Sequence, residues 1–186
     1  GDIGSTMKAY ADAWLGTCSP LGTDSVTLSP YLGFESLRPA LDAAAANQRG
    51  TFVLALTSNP EGKSVQHVGK TEYTGAVAKQ IIAAATAENT AQTWERMGSC
   101  GLVVGATVGE ALHDLAIDLS AFNGPILSPG YGAQGANAKD LYRVFAGVES
   151  QVLVNSSRGV LSAGPQVADL AQAAQMARAD LVAARG

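Results

Sequence analysis

Five short apolar runs, each followed by a stretch with helical periodicity, constrain the fold of this chain more than any other feature. The runs are nearly continuous in apolar residues, which is typical of strands buried on both faces of a parallel sheet. They are Ser25–Ser29, Thr51–Thr57, Gly101–Thr107, Pro125–Ser128 and Gln151–Asn155. Regular alternation of strand and helix predicts an α/β fold with parallel strands and right-handed crossovers.

Apolar residues at helical spacing predict six helical regions around these strands. They are Ser5–Leu15, Phe34–Gln48, Thr71–Met97 (with an interruption), Gly109–Ala116, Asn137–Ala146 and Pro165–Arg185. The last region has proline at its first helical position and glycine after its end, as helices often do. Its expected buried stripe is Val167, Leu170, Ala174, Ala177 and Leu181.

Two architectures fit this order of elements: an open doubly wound sheet, or part of an eight-stranded barrel. We expect one domain over residues 1–186, because no linker rich in proline, glycine or serine divides the chain.

The first residues of the sequence are unusual. Asp-Ile-Gly-Ser-Thr has the form of a strand-to-helix loop, yet no strand precedes it, so we expect the sequence to begin in the middle of the fold.

Composition excludes several classes of function. With 47% hydrophobic and 15% charged residues the chain is not expected to be disordered. A net charge of −4 leaves no basic footprint for nucleic acid. No run of eighteen apolar residues indicates a membrane span, and the first ten residues do not resemble a signal peptide.

The cysteines and histidines do not form a metal-binding pattern. Cys18 and Cys100 are far apart and are interpreted as reduced thiols of a cytoplasmic protein. His67 and His113 have no ligand-like spacing to each other or to a cysteine. We therefore expect no metal site.

The loop Ser128–Gly135, with the sequence SPGYGAQG, follows the fourth strand and leaves two interpretations open. Gly130, Gly132 and Gly135 have the spacing of a dinucleotide-binding loop, and Arg158 after the next strand could hold the 2′-phosphate of NADP. Alternatively, phosphate-binding barrels hold phosphate in their last two loops. There Gln134 and the loop backbone would donate hydrogen bonds, and the Arg158 guanidinium would pair with phosphate oxygens.

Other strand ends carry weaker signals. Ser58 and Asn59, after the strand Thr51–Thr57, could bind the edge of an amide-bearing ring. By composition alone, the same residues are typical of a plain turn. Asp2, taken alone near a helix start, would normally be a helix cap or dipole partner.

Taken together, the loops resemble those of the orotidine 5′-phosphate decarboxylase family, in its longer bacterial form. The matching segments, in the order in which that family carries them, are GDIGSTMKAYADAWL, SVTLSPYLGFESL, FVLALTSNPEG, GLVVGAT, ILSPGYGAQG and VNSSRG. The resemblance implies a (β/α)8 TIM barrel of the ribulose-phosphate-binding type, of which this chain carries strands four to eight. It also implies a lyase of pyrimidine biosynthesis that decarboxylates orotidine 5′-phosphate to uridine 5′-phosphate without a cofactor.

The resemblance implies roles for nine residues. Asp2 is the last member of the family's Asp-x-Lys-x-x-Asp array, whose lysine would fall just before Gly1. Asp2, Ile3 and Thr6 would reach the neighbouring subunit's site in a homodimer. Ser58 would contact the pyrimidine edge, and Pro129 would line the base pocket. Gln134 and Arg158 would bind the 5′-phosphate, with help from the backbone at Tyr131 and Ser157.

Three alternative functions remain, and they differ in which of these segments they would use. An NADP-dependent Rossmann oxidoreductase would use the GYGAQG loop but leaves SPYLGF and TSNPEG without a role. Another phosphate-binding barrel, such as a sugar-phosphate aldolase or decarboxylase, would share the last two loops alone. A non-catalytic fragment is the third alternative, because five strands cannot close an eight-stranded barrel.

Overall fold

A computed structural model of the chain describes residues 1–72, 74–132 and 134–185. The strands are β1 (Ser25–Leu28), β2 (Gly50–Leu56), β3 (Cys100–Val104), β4 (Ile126–Pro129) and β5 (Val152–Asn155). The helices are α1 (Gly4–Leu15), α2 (Arg38–Ala46), α3 (Lys63–Gln66), α4 (Val77–Thr90), α5 (Ala111–Asp114), α6 (Ala138–Val144), α7 (Ser157–Leu161) and α8 (Val167–Ala184). Short 3-10 turns lie at Phe34–Leu37, Pro60–Gly62 and Glu149–Gln151.

All five predicted strands are present, and the largest departure from the predicted helices concerns Thr71–Met97. Only Val77–Thr90 is helical there, because the chain turns back after the helix and Trp94 Nε1 donates a hydrogen bond to Asn89 O at 2.8 Å. Three residues within predicted features lie outside the described residues: Tyr73 in that region, Ala133 in the glycine-rich loop and Gly186 at the end of the chain.

The strands pair in the order β1-β2-β3-β4-β5, and every pairing is parallel. A doubly wound sheet reverses its winding at a switch point, where two consecutive strands are not neighbours. Here each strand adds to the same side of the previous one, as in a barrel. The order therefore excludes the doubly wound alternative and, with it, the Rossmann interpretation of the glycine-rich loop.

The two faces of the sheet have different surroundings. Leu28, Val53, Leu102 and Ile126 lie in register on the face covered by helices, and each is at most 3% exposed. The row of Leu54, Val103, Leu127 and Leu153 lies on the opposite face. On that face Leu54 is 36% and Leu153 is 51% exposed. In a barrel this face would point to the interior, which layers of side chains fill.

Small residues bring the helices close to the sheet. Ala11 on α1, Ala40 and Ala44 on α2, and Ala78 and Ala85 on α4 are all buried. Because alanine adds little bulk, the larger buried side chains beside it, such as those of Met7, Leu15 and Leu41, can interdigitate between helix and sheet. The alanine-rich composition is thus used mainly in the helix layer.

The stripe predicted for α8 is only partly correct. Leu170, Ala177 and Leu181 are half-buried, but Ala174 is exposed and Val167 is 81% exposed. The reason is that α8 packs against α6 and α7, two short helices that cover only a narrow part of it. No residue of α8 is fully buried.

Asn89 joins α4 to two strand connections at the amino-terminal edge of the sheet. It is 1% exposed, and its Nδ2 donates to Cys100 O at 2.9 Å and to Phe122 O at 3.3 Å. Its Oδ1 accepts from Cys100 N at 3.2 Å. A Cβ atom at Gly98 or Gly124 would overlap the Asn89 side chain, so both glycines make room for it.

We predict that Asn89→Ala lowers the free energy of unfolding by about 3 kcal/mol, because it leaves buried backbone groups without partners. Urea unfolding measures this change. Ser128→Ala is the matched control. The Ser128 hydroxyl is buried and has no hydrogen-bond partner among the described residues, so its removal should change stability by less than about 0.5 kcal/mol. Equal effects of the two substitutions would contradict the role of Asn89.

The two thiols should differ in reactivity. Cys100 is 2% exposed, and burial raises the pKa of its thiol to about 11. Cys18 is exposed. Because the thiolate is the nucleophile, a raised pKa lowers the reactive fraction at every pH below it. We predict that a thiol reagent at pH 8 labels Cys18 in the folded protein and labels Cys100 only after denaturation, as mass spectrometry of the peptides would report.

Candidate active site

The loops at the carboxyl ends of the strands gather at one edge of the sheet, because all strands run in the same direction. In parallel α/β folds this edge holds the ligand. An open cavity of about 550 Å³ lies at the opposite, amino-terminal edge of the sheet, between Asp24, Arg49 and Leu153. Its arginine is not free to bind a ligand, since Arg49 Nη1 already donates a hydrogen bond to Trp14 O at 3.1 Å. We therefore place the candidate site at the carboxyl edge.

The loop after β4 owes its shape to glycine. Gly130, Gly132 and Gly135 have φ angles of 113°, 74° and 100°, a region that residues with a Cβ rarely adopt. Within the loop, Gly132 N donates to Ala136 O at 2.8 Å and Ala136 N donates to Gly130 O at 3.2 Å. Tyr131 and Ala136 form an isolated bridge. The glycine spacing in the sequence therefore reflects a tightly folded loop.

A small polar cleft opens between this loop and the end of β5. Its volume is about 70 Å³, and its lining comprises Gly130, Tyr131, Gln134, Asn155, Ser156, Ser157 and Arg158. Such a volume holds a few water molecules or one small anion, since a water needs roughly 10–15 Å³. Gln134 and Arg158 are exposed, and Arg158 makes no ion pair within the described part of the chain. Its guanidinium is therefore available to an anion.

The loop after β2 is held by a side chain that follows it. Gln66 Oε1 accepts from Thr57 N at 2.9 Å, and Gln66 Nε2 donates to Thr57 Oγ1 at 2.7 Å. Thr57 Oγ1 in turn donates to Asn59 Oδ1 at 2.6 Å. Ser58 lies between them, is exposed and borders the end of β3, where a Cβ at Gly105 would lie 3.4 Å from Ser58 N.

A larger and more apolar cavity of about 510 Å³ lies beside this loop, at the carboxyl ends of β1 and β2. Thr57, Asn59 and Gln66 supply polar groups to its wall. Leu54, Val65 and Ile81 supply apolar surface. A cavity with a mostly apolar wall and a few polar groups suits an organic ring.

Asp2, Ile3 and Thr6 lie on the first turn of α1 and just before it. The last turn of α1 is at the amino edge of the sheet, because Asn47 Nδ2 donates to Leu15 O and Arg49 to Trp14 O. A helix of this length spans about 18 Å, which carries its first turn towards the carboxyl edge. All three residues are exposed, and none lines the two cavities described above.

The structure thus brings together Tyr131, Gln134, Ser157 and Arg158 around one cleft, with Pro129 at the base of the same loop. Ser58 lies on the loop after β2, which β3 separates from β4, and Asp2, Ile3 and Thr6 line neither the cleft nor the apolar cavity. Two further residues had escaped sequence analysis. Gln66 holds the loop after β2, and Asp180 accepts a hydrogen bond from the Tyr131 hydroxyl at 2.7 Å.

Two features of the described residues bear on cofactors and membranes. No three histidine, cysteine or acidic side chains lie close enough together to hold a metal ion among them. Within the same part of the chain, every helix is too short or too polar to cross a bilayer.

Comparison with known proteins identifies relatives along nearly the whole chain. The profile of the orotidine 5′-phosphate decarboxylase / HUMPS family matches residues 1–173. The chain is 53% identical over 184 residues to the orotidine 5′-phosphate decarboxylase of Salinispora arenicola, covering 99% of this chain and 64% of that protein. For the Streptomyces coelicolor enzyme of the same name, the identity is 50%, with 94% of this chain and 60% of that protein covered.

A solved structure agrees with these sequence relatives. The crystal structure of a candidate orotidine 5′-phosphate decarboxylase from Streptomyces avermitilis superimposes with a TM-score of 0.90 at 50% identity. The match covers 99% of this chain and 62% of that one. The chain therefore spans less than two thirds of the length of these relatives. The predicted fold class is confirmed: the five strands and their helices are part of a TIM barrel.

We predict that Gln66→Leu loosens the loop after β2 without unfolding the sheet. The substitution removes both hydrogen bonds to Thr57, of which one protects a backbone amide. A net loss of about 1.4 kcal/mol in local stability corresponds to roughly tenfold faster amide exchange at Thr57. Hydrogen exchange followed by mass spectrometry or NMR measures it. The amides of β3 serve as the internal reference, and unchanged exchange at Thr57 would contradict this role of Gln66.

Proposed function

Because the chain belongs to the orotidine 5′-phosphate decarboxylase / HUMPS family, we propose that the protein is a carboxy-lyase that converts orotidine 5′-phosphate to uridine 5′-phosphate in pyrimidine biosynthesis. The observation that carries this proposal is the cleft between the loops after β4 and β5, where Gln134 and Arg158 face a volume suited to one small anion. The relatives from Salinispora arenicola and Streptomyces coelicolor both bear this activity in their names.

The cleft is the proposed site of the 5′-phosphate. Arg158 offers a planar fork that can pair with two phosphate oxygens, and it has no competing carboxylate within the described residues. Gln134 adds an amide donor from the opposite loop. The backbone at Tyr131 can approach the phosphate closely because Gly130 and Gly132, on either side of it, have no Cβ, and the backbone at Ser157 lines the same cleft.

The pyrimidine ring is proposed to lie along the same edge, between Pro129 and Ser58. Pro129 ends β4 with a half-buried apolar ring, and Ser58 presents an exposed hydroxyl and backbone on the loop after β2. A hydroxyl can both donate and accept, which matches the alternating N–H and C=O groups of a pyrimidine edge. The hydrogen bonds from Gln66 to Thr57 fix the position of that loop.

The proposed chemistry is cofactor-free. The bond from C6 to the carboxylate breaks, its electron pair stays on C6, and carbon dioxide leaves. A lysine ammonium, expected just before Gly1, stabilises the carbanion and then gives it a proton. Asp2, reaching in from the neighbouring subunit, would keep that lysine charged and in position, since a nearby carboxylate favours the ammonium form. Binding energy from the remote phosphate would help to lower the barrier.

The proposed assembly is a homodimer with shared active sites. Asp2, Ile3 and Thr6 are exposed near the carboxyl edge but line neither cavity of their own subunit, which suits residues that act in a partner's site. A cytoplasmic location, where nucleotides are synthesised, is part of the same proposal.

We predict that the protein at its natural length consumes orotidine 5′-phosphate, followed by the loss of substrate absorbance. Arg158→Lys should lower kcat/KM about tenfold, because lysine keeps the charge but loses the second, parallel hydrogen bond. Arg178→Lys, on the exposed side of α8, is the matched control and should leave kcat/KM unchanged. Absence of decarboxylation by the unmodified protein would refute the proposed function, whereas equal effects of both substitutions would refute the role of Arg158.

A further inference from the structure

We propose that the hydrogen bond from Tyr131 to Asp180 holds the glycine-rich loop in its phosphate-binding position, so that both are positioning residues for the phosphate group. This proposal rests on the proposed function and extends it to α8, a helix with no other assigned role. It concerns the loop Gly130–Gly135, whose backbone would contact phosphate on one side. On the other side, the loop is joined to α8.

The bond itself is short and joins distant parts of the sequence. The Tyr131 hydroxyl donates to Asp180 Oδ2 at 2.7 Å, across 49 residues of chain. Tyr131 is half-buried, whereas Asp180 is exposed on α8. Since carboxylate acceptors make stronger hydrogen bonds than neutral ones, this bond can hold the loop against α8.

Tyr131 lies between two spaces of different character. On one side is the cleft of about 70 Å³ with Gln134 and Arg158. On the other is a groove of about 490 Å³ between the loop and α8, lined by Gly132, Met176 and Asp180 among others. Tyr131 lines both spaces. A movement of its side chain would therefore change the shape of the phosphate cleft.

The rest of the loop has little to keep it in place. Among the described residues, its other hydrogen bonds are backbone bonds between Gly130 and Ala136, apart from Ala106 N donating to Pro129 O at the loop base. Among the side-chain hydrogen bonds of the described residues, the one from Tyr131 alone joins this loop to a helix. Glycines on either side give the backbone many accessible conformations. An outside anchor reduces that freedom before the phosphate binds, which favours binding.

The protonation state of the pair supports a permanent anchor. Burial, followed by the hydrogen bond to Asp180 and the charge of that carboxylate, raises the pKa of Tyr131 to about 12. The phenol therefore remains a neutral donor throughout the pH range in which the protein functions. The anchor is a fixed structural element rather than a pH switch.

The test compares binding of uridine 5′-phosphate and of uridine by calorimetry, using the protein at its natural length. Tyr131→Phe keeps the ring and removes the hydroxyl, and Asp180→Asn keeps the shape and removes the charge. One hydrogen bond of about 0.5–1.5 kcal/mol corresponds to roughly 3- to 10-fold weaker binding. We expect this loss for the nucleotide alone, with uridine unaffected. The KM for orotidine 5′-phosphate should rise by the same factor, with kcat within about twofold.

The double variant and two controls separate positioning from general stability. Tyr131→Phe combined with Asp180→Asn should bind the nucleotide no more weakly than the weaker single variant, because both remove the same bond. Tyr142→Phe, on α6, and Asp169→Asn, in the first turn of α8, should leave both affinities unchanged.

Any of four results would overturn the proposal. Additive effects in the double variant, or equal weakening of nucleotide and nucleoside, would mean that the bond contributes only to general stability. A protein that binds uridine as well as its 5′-phosphate before any substitution would overturn the proposed function and this proposal together. A preference for the nucleotide that keeps its full size after both substitutions would overturn the anchor alone.

Discussion

Parallel pairing in a single winding direction is the constraint on which the rest of the structure depends. Each strand is hydrogen-bonded to the preceding one, so every carboxyl end falls at the same edge. Ser58, Gln134 and Arg158 are up to 100 residues apart in the sequence, yet they share that edge for this reason alone. Loops can differ freely in sequence without disturbing the sheet, which explains how a site of polar, exposed residues rests on a nearly uniform apolar scaffold.

The polar groups that bond to other parts of the protein lie mainly in the helix layer, whereas the polar groups of the candidate site lie in loops at the carboxyl edge. The helix layer holds Asn89 and the network of Arg38, whose Nη1 lies 2.9 Å from Glu88 Oε2 and whose Nη2 lies 3.3 Å from Glu35 Oε1. Hydrogen bonds to Glu88 and Glu35 raise the pKa of Arg38, so these carboxylates are paired within the scaffold. Arg158 makes no such pair among the described residues. Of the two arginines, the one that lacks a protein partner is therefore the one suited to a ligand.

The strands, and the meeting of the loops after β4 and β5 at one polar cleft, could be predicted from the sequence because both have local signals. Continuous apolar runs indicate buried parallel strands, and three glycines followed one strand later by an arginine indicate an anion site. Gln66 and Asp180 had no such signal. Gln66 acts on a loop nine residues earlier, and Asp180 on one 49 residues earlier, through contacts that exist only after packing. The stripe of α8 was partly wrong for the same reason, since periodicity does not reveal how much of a helix its neighbours cover.

The proposed phosphate site is compatible with an acidic protein, because the local arrangement of charge outweighs the total charge. The net charge is −4, but charges beyond about 8 Å in solution are largely screened at physiological ionic strength. Within the cleft, Arg158 and Gln134 are the groups proposed to meet the anion. Asp180, an acid close to this loop, lies on the groove side of Tyr131 and accepts its hydroxyl. Tyr131 thus lies between the Asp180 carboxylate and the cleft, and its hydroxyl donates a hydrogen bond to that carboxylate.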